Sequence, residues 1–313
     1  MTAAPAGGGA PAVTVVVPTR GRRELVRAAV ASVVEQRYDG HVDCIVVHDQ
    51  EEPDVALEAL SRPDRRVVVM ANDATPGLAG SRNAGLAKAD ADYVASCDDD
   101  DAWLPDKLRL QMQRLEQNPQ LLVVGAGIRL LMPENRVVDW VGSADLVTQQ
   151  HLLRSRRKEL HSSTLLMRRR VFDLVGGYDE NLPNSYAEDY EFLLRAVRFG
   201  PIGVVRQPLA TIKKDGTSWF REREEVVAEA LEYLLRTHPE LATSRPGHAR
   251  ILGQIAFAEA SLGNRRAALR WVGRSLARWP VAPQAGLALV QVGTGSDPRW
   301  LLNQARRVGR GLS

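Results

Sequence analysis

The sequence has only two cysteines in 313 residues, Cys44 and Cys97. Two thiols cannot build a disulfide framework or a four-ligand zinc site. Each ends an apolar run, which reads as a buried thiol. Long hydrophobic stretches are also lacking. The longest, residues 121–132, is interrupted by Arg129 and falls short of the ~18 apolar residues that suggest a membrane span. The opening segment, MTAAPAGGGAPA, has neither a basic n-region nor a long apolar h-region. It reads as a flexible leader over 1–12 rather than a signal peptide, and a cytoplasmic location is expected. Finally, no sign of charge dominates. Lys and Arg number 41 against 38 Asp and Glu, a net of +3, so no nucleic-acid partner held by bulk charge is expected. Apolar residues at 44% and charged residues at 25% exclude a disordered or fibrous chain.

The balance conceals an asymmetry. Residues 241–313 hold 11 Arg, no Lys and only Glu259 and Asp297, a net of +9, which leaves −6 for the rest. A basic end of this kind fits a solvated arginine-rich helical surface. It also fits peripheral contact with an anionic partner, such as the inner face of a membrane.

Residues 13–17, 42–47, 66–70 and 92–97 are short runs rich in apolar residues, as buried strands require. Between them, 23–36, 53–60 and 77–88 show helical spacing. This alternation indicates an α/β fold with a largely parallel sheet. Further on, 104–117 and 188–199 read as helices, and 121–131, 164–167, 202–205 and 209–212 as strands. From residue 222 the spacing is helical, with breaks at Pro246, Gly263 and Pro280. The chain therefore divides, as expected from sequence, into a leader at 1–12, an α/β domain at 13–220 and a basic helical region at 221–313.

Chemistry gathers at element ends. Asp98-Asp99-Asp100-Asp101 directly follows the fourth strand. Adjacent carboxylates repel one another, and a divalent cation would relieve that repulsion, since Mg²⁺ and Mn²⁺ prefer oxygen ligands. A solvated acidic loop capping the next helix is the alternative. Ligands of open α/β sheets bind at strand ends, and the second strand ends similarly, in His48-Asp49. Residues 76–85, PGLAGSRNAG, place glycines, Arg82 and Asn83 at a helix start, where backbone N–H groups suit phosphate. The order is neither a P-loop nor a dinucleotide fingerprint. Glu188-Asp189 opens another helix, either as capping residues or as a general base. The basic run at 154–158, RSRRK, reads as a solvated helix end or as a contact for an anionic acceptor. His41, His151, His238 and His248 are isolated and read as packing or surface residues.

Five segments in this order carry a family resemblance: VTVVVPTRGR at 13–22, CIVVHDQ at 44–50, GSRNAGLAKADADYVASCDDDDAWLPDKL at 80–108, HSSTLLMRRRVFDLVGGYDE at 161–180 and AEDYEFLLR at 187–195. Over roughly 13–220 the chain resembles the nucleotide-sugar-dependent glycosyltransferases of family 2. The resemblance implies a GT-A-like, Rossmann-type, mostly parallel sheet flanked by helices, here followed by the helical C-terminal region. It implies inverting transfer of a sugar from a nucleoside-diphosphate sugar to an acceptor hydroxyl, which in such enzymes can be lipid-linked. Polysaccharide, glycolipid and natural-product glycoside synthesis are all open. Pro18, Thr19, Arg20 and Asp49 would line the nucleotide pocket, with Arg82, Asn83, Asp98 and Asp99 on the donor. Asp100 would be the main ligand of Mg²⁺ or Mn²⁺, with Asp98. Asp189 would be the catalytic base with Glu188 beside it. His161, Ser162, Ser163, Gly177 and Tyr178 would form the acceptor side.

There are departures. His48 stands where Asp is usual, the acidic run is four Asp without alternation, and Lys213-Lys214-Asp215-Gly216-Thr217-Ser218 replaces a metal-binding His before Gly and Ser. A lysine there would pair with the diphosphate and weaken metal dependence. Two rival readings are a nucleotidyltransferase and a non-catalytic transferase-like scaffold. The single glycine after the first strand argues against the first, and the intact acidic clusters argue against the second.

Overall fold

The apolar runs of the first hundred residues form one half of a sheet. The computed structural model describes residues 9–133, 136–213, 224–295 and 301. Residues 1–8 of the expected leader and the segment 214–218 therefore lie outside the described residues. β1 (Val13–Thr19), β2 (Val42–His48), β3 (Arg65–Ala71) and β4 (Tyr93–Ser96) pair in parallel. Every residue of β1 is buried, as a strand covered on both faces must be. α1 (Arg23–Val34) follows β1 and buries Val26, Ala29, Val30, Val33 and Val34, the stripe expected from their spacing. The expected helix at 53–60 is a 3₁₀ turn, Val55–Leu60, started by the Asp54 carboxylate accepting from the Ala56 N–H. So short a segment favours the tighter hydrogen-bond pattern. α2 (Leu78–Ala87) precedes β4 and is unusual in burying Ser81 and Arg82.

Beyond β4 the chain becomes mixed. β5 (Ala102–Trp103), α3 (Lys107–Gln117), β6 (Val123–Met132), β7 (Arg136–Trp140) and β8 (Leu146–Val147) follow. α4 (Gln149–Arg154), β9 (Leu166–Arg168), α5 (Arg170–Val175), α6 (Glu188–Ala196) and β10 (Ile202–Lys213) come next. The order across the sheet is β3-β2-β1-β4-β9-β6-β10-β5, with β7 on β6 and β8 on β10. The α/β class holds. The parallel pattern covers β3 to β4 and the β6–β10 pair, while β9 is antiparallel to both its neighbours. The two short strands expected at 202–205 and 209–212 are one strand with register shifts around Pro208, which has no N–H to give to a ladder.

Strand order reverses at β1: β2 and β3 lie to one side of it and β4 to the other. Such a switch point opens a crevice at the carboxyl ends of the strands. Thr19 ends β1 and Asp98 stands two residues beyond β4, so both lie at that opening.

The described residues fall into two compact units. The first draws on residues 1–147, 158–178 and 195–215 and contains the whole sheet. The second draws on 148–157, 179–194 and 216–313, so the chain enters it twice before its helical end. In the second unit α7 (Glu224–Thr237), α8 (Arg245–Ser261), α9 (Arg265–Arg278) and α10 (Pro283–Thr294) follow one another. The three expected breaks fall at their boundaries. Pro246 sits in the first turn of α8, where a missing N–H costs nothing, and Gly263 and Pro280 lie between helices. Ala249, Ala256, Phe257, Val272, Ala285 and Ala288 share one core. Small residues let helices approach α8 closely: a Cβ on Gly247 would stand 1.9 Å from the Leu153 carbonyl of α4, and one on Gly253 2.8 Å from the Ala285 nitrogen of α10.

One fully buried residue is a lysine without a counter-ion among the described residues. Lys107, in the first turn of α3, has no solvent exposure. Its Nζ has no hydrogen-bond partner and stands 3.9 Å from the centre of the Trp103 ring. Burial pushes its pKa down to about 7, against about 10.4 in an unfolded chain. Across that window the unfolded state binds the additional proton, so this residue's contribution to stability is lost as pH falls towards about 7 and grows as pH rises. Lys107→Met should therefore melt higher than the parent at pH 7, with an advantage that shrinks towards pH 9. Melting curves at the two pH values would contradict this if the variant were less stable at pH 7 or the difference were constant.

Candidate functional site

Pro18 and Thr19 are buried at the end of β1, opposite Val47 and His48 of β2. Asp49 follows β2. Its carboxylate accepts from the Asn72 side chain at 2.8 Å, the Gly77 N–H at 3.1 Å and Gln50 at 3.0 Å, with Arg20 at 3.9 Å. Burial would raise its pKa, but these donors together lower it below the usual value. His48 is buried and turned to the following loop, its Nδ1 2.8 Å from Glu51 Oε1 and its Nε2 accepting the Asp54 N–H. An Nδ1-protonated neutral ring satisfies both contacts.

The four aspartates after β4 have separate partners. Asp98 accepts from Arg82 Nη2 at 2.6 Å and from Ser162 Oγ at 2.6 Å. Burial would raise its pKa, yet the charges of Arg82 and His161 and these bonds hold it below the ordinary carboxylate value. Asp99 accepts from Thr19 Oγ1 at 2.8 Å and Arg22 Nη1 at 3.0 Å, and burial still pushes it up to about 6. Asp100 shares the same Arg22 Nη1 at 2.9 Å, and burial and the neighbouring Asp98 raise it as well. Asp101 accepts from Ser163 Oγ, which in turn accepts the Asp98 N–H, while the Ser163 carbonyl takes the Trp103 indole N–H. Serine-163 thus braces both ends of the acidic turn.

Ligand atoms of Asp98, Asp101 and His161 lie within 4.8 Å of one another. Two carboxylate oxygens and an imidazole nitrogen suit Mn²⁺ and are acceptable to Mg²⁺. Asp100, expected as the main ligand, is not in that group and stands instead on Arg22. Asn83 is bound to the Tyr178 backbone, donating to its carbonyl at 2.9 Å and accepting its N–H at 2.8 Å. The Arg82 guanidinium lies 5.3 Å from the centre of the Tyr178 ring. Asn83 therefore braces the Gly177-Tyr178 segment. The resemblance points to Arg20, which stands by Asp49; Arg22, one residue past the Gly21 turn and not expected from sequence, is the arginine on the acidic turn. The only available signal was a second arginine in the same PTRGR segment.

In the second unit, Glu188 and Asp189 open α6 and are both buried. Asp189 Oδ1 accepts the Tyr190 N–H at 2.7 Å and Arg156 Nη2 at 2.9 Å. The turn before them holds three non-glycine residues at positive φ: Asn184 at 47°, Ser185 at 54° and Ala187 at 67°. Backbone strain of this kind persists only where the surroundings impose it and clusters at functional sites. Arg156 comes from the basic run at 154–158, where either a solvated end or a binding role was open.

Residues 14–175, just over half the chain, match the family described as Glycosyl transferase family 2. Among curated relatives, the chain is 27% identical over 106 residues to the Escherichia coli UDP-Glc:alpha-D-GlcNAc-diphosphoundecaprenol beta-1,3-glucosyltransferase WfgD, covering 34% of this chain and 42% of that one. A Haemophilus influenzae glycosyltransferase is 26% identical over 59% of this chain and 62% of its own length. The chain thus spans less than two thirds of either relative. Among solved structures, S. aureus TarS 1–349 in complex with UDP-GlcNAc superposes with a TM-score of 0.59 at 17% identity, covering 95% of this chain and 92% of that one. At that identity the likeness establishes the GT-A-type fold alone.

Arg82 is 1% exposed and bonded to Asp98. Removing one partner of a buried ion pair leaves the other uncompensated, so Arg82→Met should lower stability by about 3 kcal/mol. Chemical denaturation checks this. A loss well under about 1 kcal/mol would mean that the pair does not hold the turn.

Proposed function

The chain belongs to glycosyl transferase family 2, and on that premise we propose that it moves a sugar from a nucleoside-diphosphate sugar to an acceptor hydroxyl in one inverting displacement. The observation that carries this reading is the aspartate turn at the β1/β4 switch point, matched by Arg22 and Arg82. Pro18, Thr19, Arg20 and Asp49 line the nucleotide side, and Asp49 with its three donors is held rigidly enough to orient a base or ribose. Arg22 bridges Asp99 and Asp100 in the resting chain and transfers to the donor diphosphate on binding. Asp98 and Asp99 then lie on the donor, with Arg82 fixing Asp98 and Asn83 fixing the Tyr178 segment. His161, Ser162, Ser163, Gly177 and Tyr178 shape the side of the transferred sugar and acceptor.

Asp98, Asp101 and His161 would hold a divalent cation, with Asp100 joining once Arg22 has left it. When bound, that cation supplies Lewis-acid neutralisation of the leaving diphosphate. The presence of Mn²⁺ with GDP-Man in the Pyrobaculum calidifontis mannosyltransferase PcManGT supports the reading; it shares 17% identity with this chain at a TM-score of 0.57, covering 96% of this chain and 87% of that one. Asp189, with Glu188 beside it, takes the proton of the acceptor hydroxyl, whose oxygen attacks the anomeric carbon from the face opposite the departing diphosphate. The diphosphoundecaprenol acceptor named for WfgD supports a lipid-linked acceptor here. No helix among the described residues is long and apolar enough to cross a membrane. Peripheral contact with the cytoplasmic membrane face is proposed through the exposed Arg265, Arg266, Arg270, Arg274 and Arg278 of α9.

Asp189→Asn should lower turnover by about 10²–10⁴-fold, the range of general-base catalysis, with donor affinity nearly unchanged. Near-normal turnover would remove the base assignment. Calorimetry with Mn²⁺ separates the ligands: Asp98→Asn should lose more affinity than Asp100→Asn. Equal loss would return the main ligand role to Asp100.

A further inference from the structure

A buried arginine in the second unit is not accounted for by the transfer reaction. Arg250 lies on α8, 8% exposed. Its Nη1 donates to Gln254 at 3.1 Å, while Nε and Nη2 have no hydrogen-bond partner. No described carboxylate pairs with it. A buried guanidinium without a counter-ion is costly, and unused N–H groups on a planar fork match the oxygens of a phosphate.

Its surroundings supply a second cation. Gly247, one turn earlier on α8, packs against Leu153 and Arg154 so closely that a Cβ would stand 1.9 Å from the Leu153 carbonyl and 2.9 Å from the Arg154 Cα. This places Arg250 by the segment that carries Arg156. Tyr190 joins them, its hydroxyl donating to the Leu152 carbonyl at 2.7 Å and its ring centre lying 5.9 Å from the Arg156 guanidinium. Arg156 and Tyr190 are also the groups bonded to Asp189 Oδ1. Arg156 keeps 39% of its side chain exposed. It can therefore meet an incoming anion while Arg250 adds charge from the interior.

We propose that Arg156 and Arg250 form an anion subsite beside Asp189 that takes a phosphate ester carried by the acceptor. The assignment to the acceptor rests on the reading of Asp189 as base, because a base must touch the acceptor hydroxyl. Occupation of the subsite draws Arg156 from Asp189 Oδ1, leaves that oxygen with the Tyr190 N–H alone, and frees the carboxylate of its cation so that it can receive the proton. Acceptor binding and exposure of the base are then one event.

Calorimetric titration of the full chain with inorganic phosphate and with glycerol 3-phosphate tests the subsite. Both should bind, and Arg156→Gln should weaken them by about tenfold or more, the effect of a lost charged hydrogen bond. Arg250→Met should do the same, and Arg250→Lys should recover part of the affinity. If Arg250→Met does not fold, Arg156→Gln decides. Equal affinity in parent and Arg156→Gln would overturn the subsite, as would a loss caused instead by Arg82→Gln. Binding to phosphatidylglycerol vesicles with no binding of the soluble esters would also overturn it, in favour of a lipid surface. Asp189→Asn should bind phosphate more tightly, because Arg156 is released. If that variant binds phosphate but turns over normally, the base reading and the acceptor assignment fail while the anion site stands. If it loses turnover and neither it nor the parent binds phosphate, the base reading stands and the subsite fails.

Discussion

Four consecutive carboxylates cannot share one turn without cations to oppose them. Much of the first unit is organised around that constraint. Arg22 reaches Asp99 and Asp100 from the start of α1, and Arg82 reaches Asp98 from a buried position on α2. A buried arginine would count against the α2 packing if Asp98 were not there to receive it. Ser162 and Ser163 hold the same turn from the far side in sequence. The resting chain thus uses guanidinium groups to oppose charge that a cation and a diphosphate donor would rearrange. The arginine and serine partners named above are side chains, which can be withdrawn without breaking a strand.

Much of the sheet could be read from the sequence because β1, β2, β3 and β4 are short runs of apolar, largely β-branched residues and because α1 repeats its apolar residues at helical spacing. What escaped has physical reasons. β7 exposes all five residues, including Val137, Val138 and Trp140. Its place is set by pairing with β6 and by the Arg129–Asp139 ion pair rather than by burial. α4 and α5 have six residues each, too few to show a period. β10 looked like two strands because Arg206-Gln207-Pro208 interrupts the pattern while the ladder continues on either side.

The site was legible at one level and hidden at the next. Acidic clusters at strand and helix ends could be found because their position follows from local pattern. Their partners could not. Thr19 meets Asp99 across 80 residues, Ser163 meets Asp101 across 62 and Arg156 meets Asp189 across 33. Those encounters are decided by strand order and by the chain entering the second unit early. The clearest example is that Arg22 reaches the acidic turn while Arg20 stands by Asp49, since nothing local distinguishes two arginines flanking one glycine. In the second unit, the positive-φ turn before Glu188 and the two unbonded nitrogens of buried Arg250 were equally invisible, because both are properties of conformation and packing.

The central claim is that the aspartate turn at the β1/β4 opening holds a nucleoside-diphosphate sugar. Calorimetric titration of the full chain with UDP- and GDP-sugars in Mn²⁺, compared with Asp98→Asn, addresses it most directly. The account requires that at least one sugar nucleotide binds the parent chain and loses about tenfold or more in affinity in the variant. Binding of none, or equal binding by parent and variant, would contradict it.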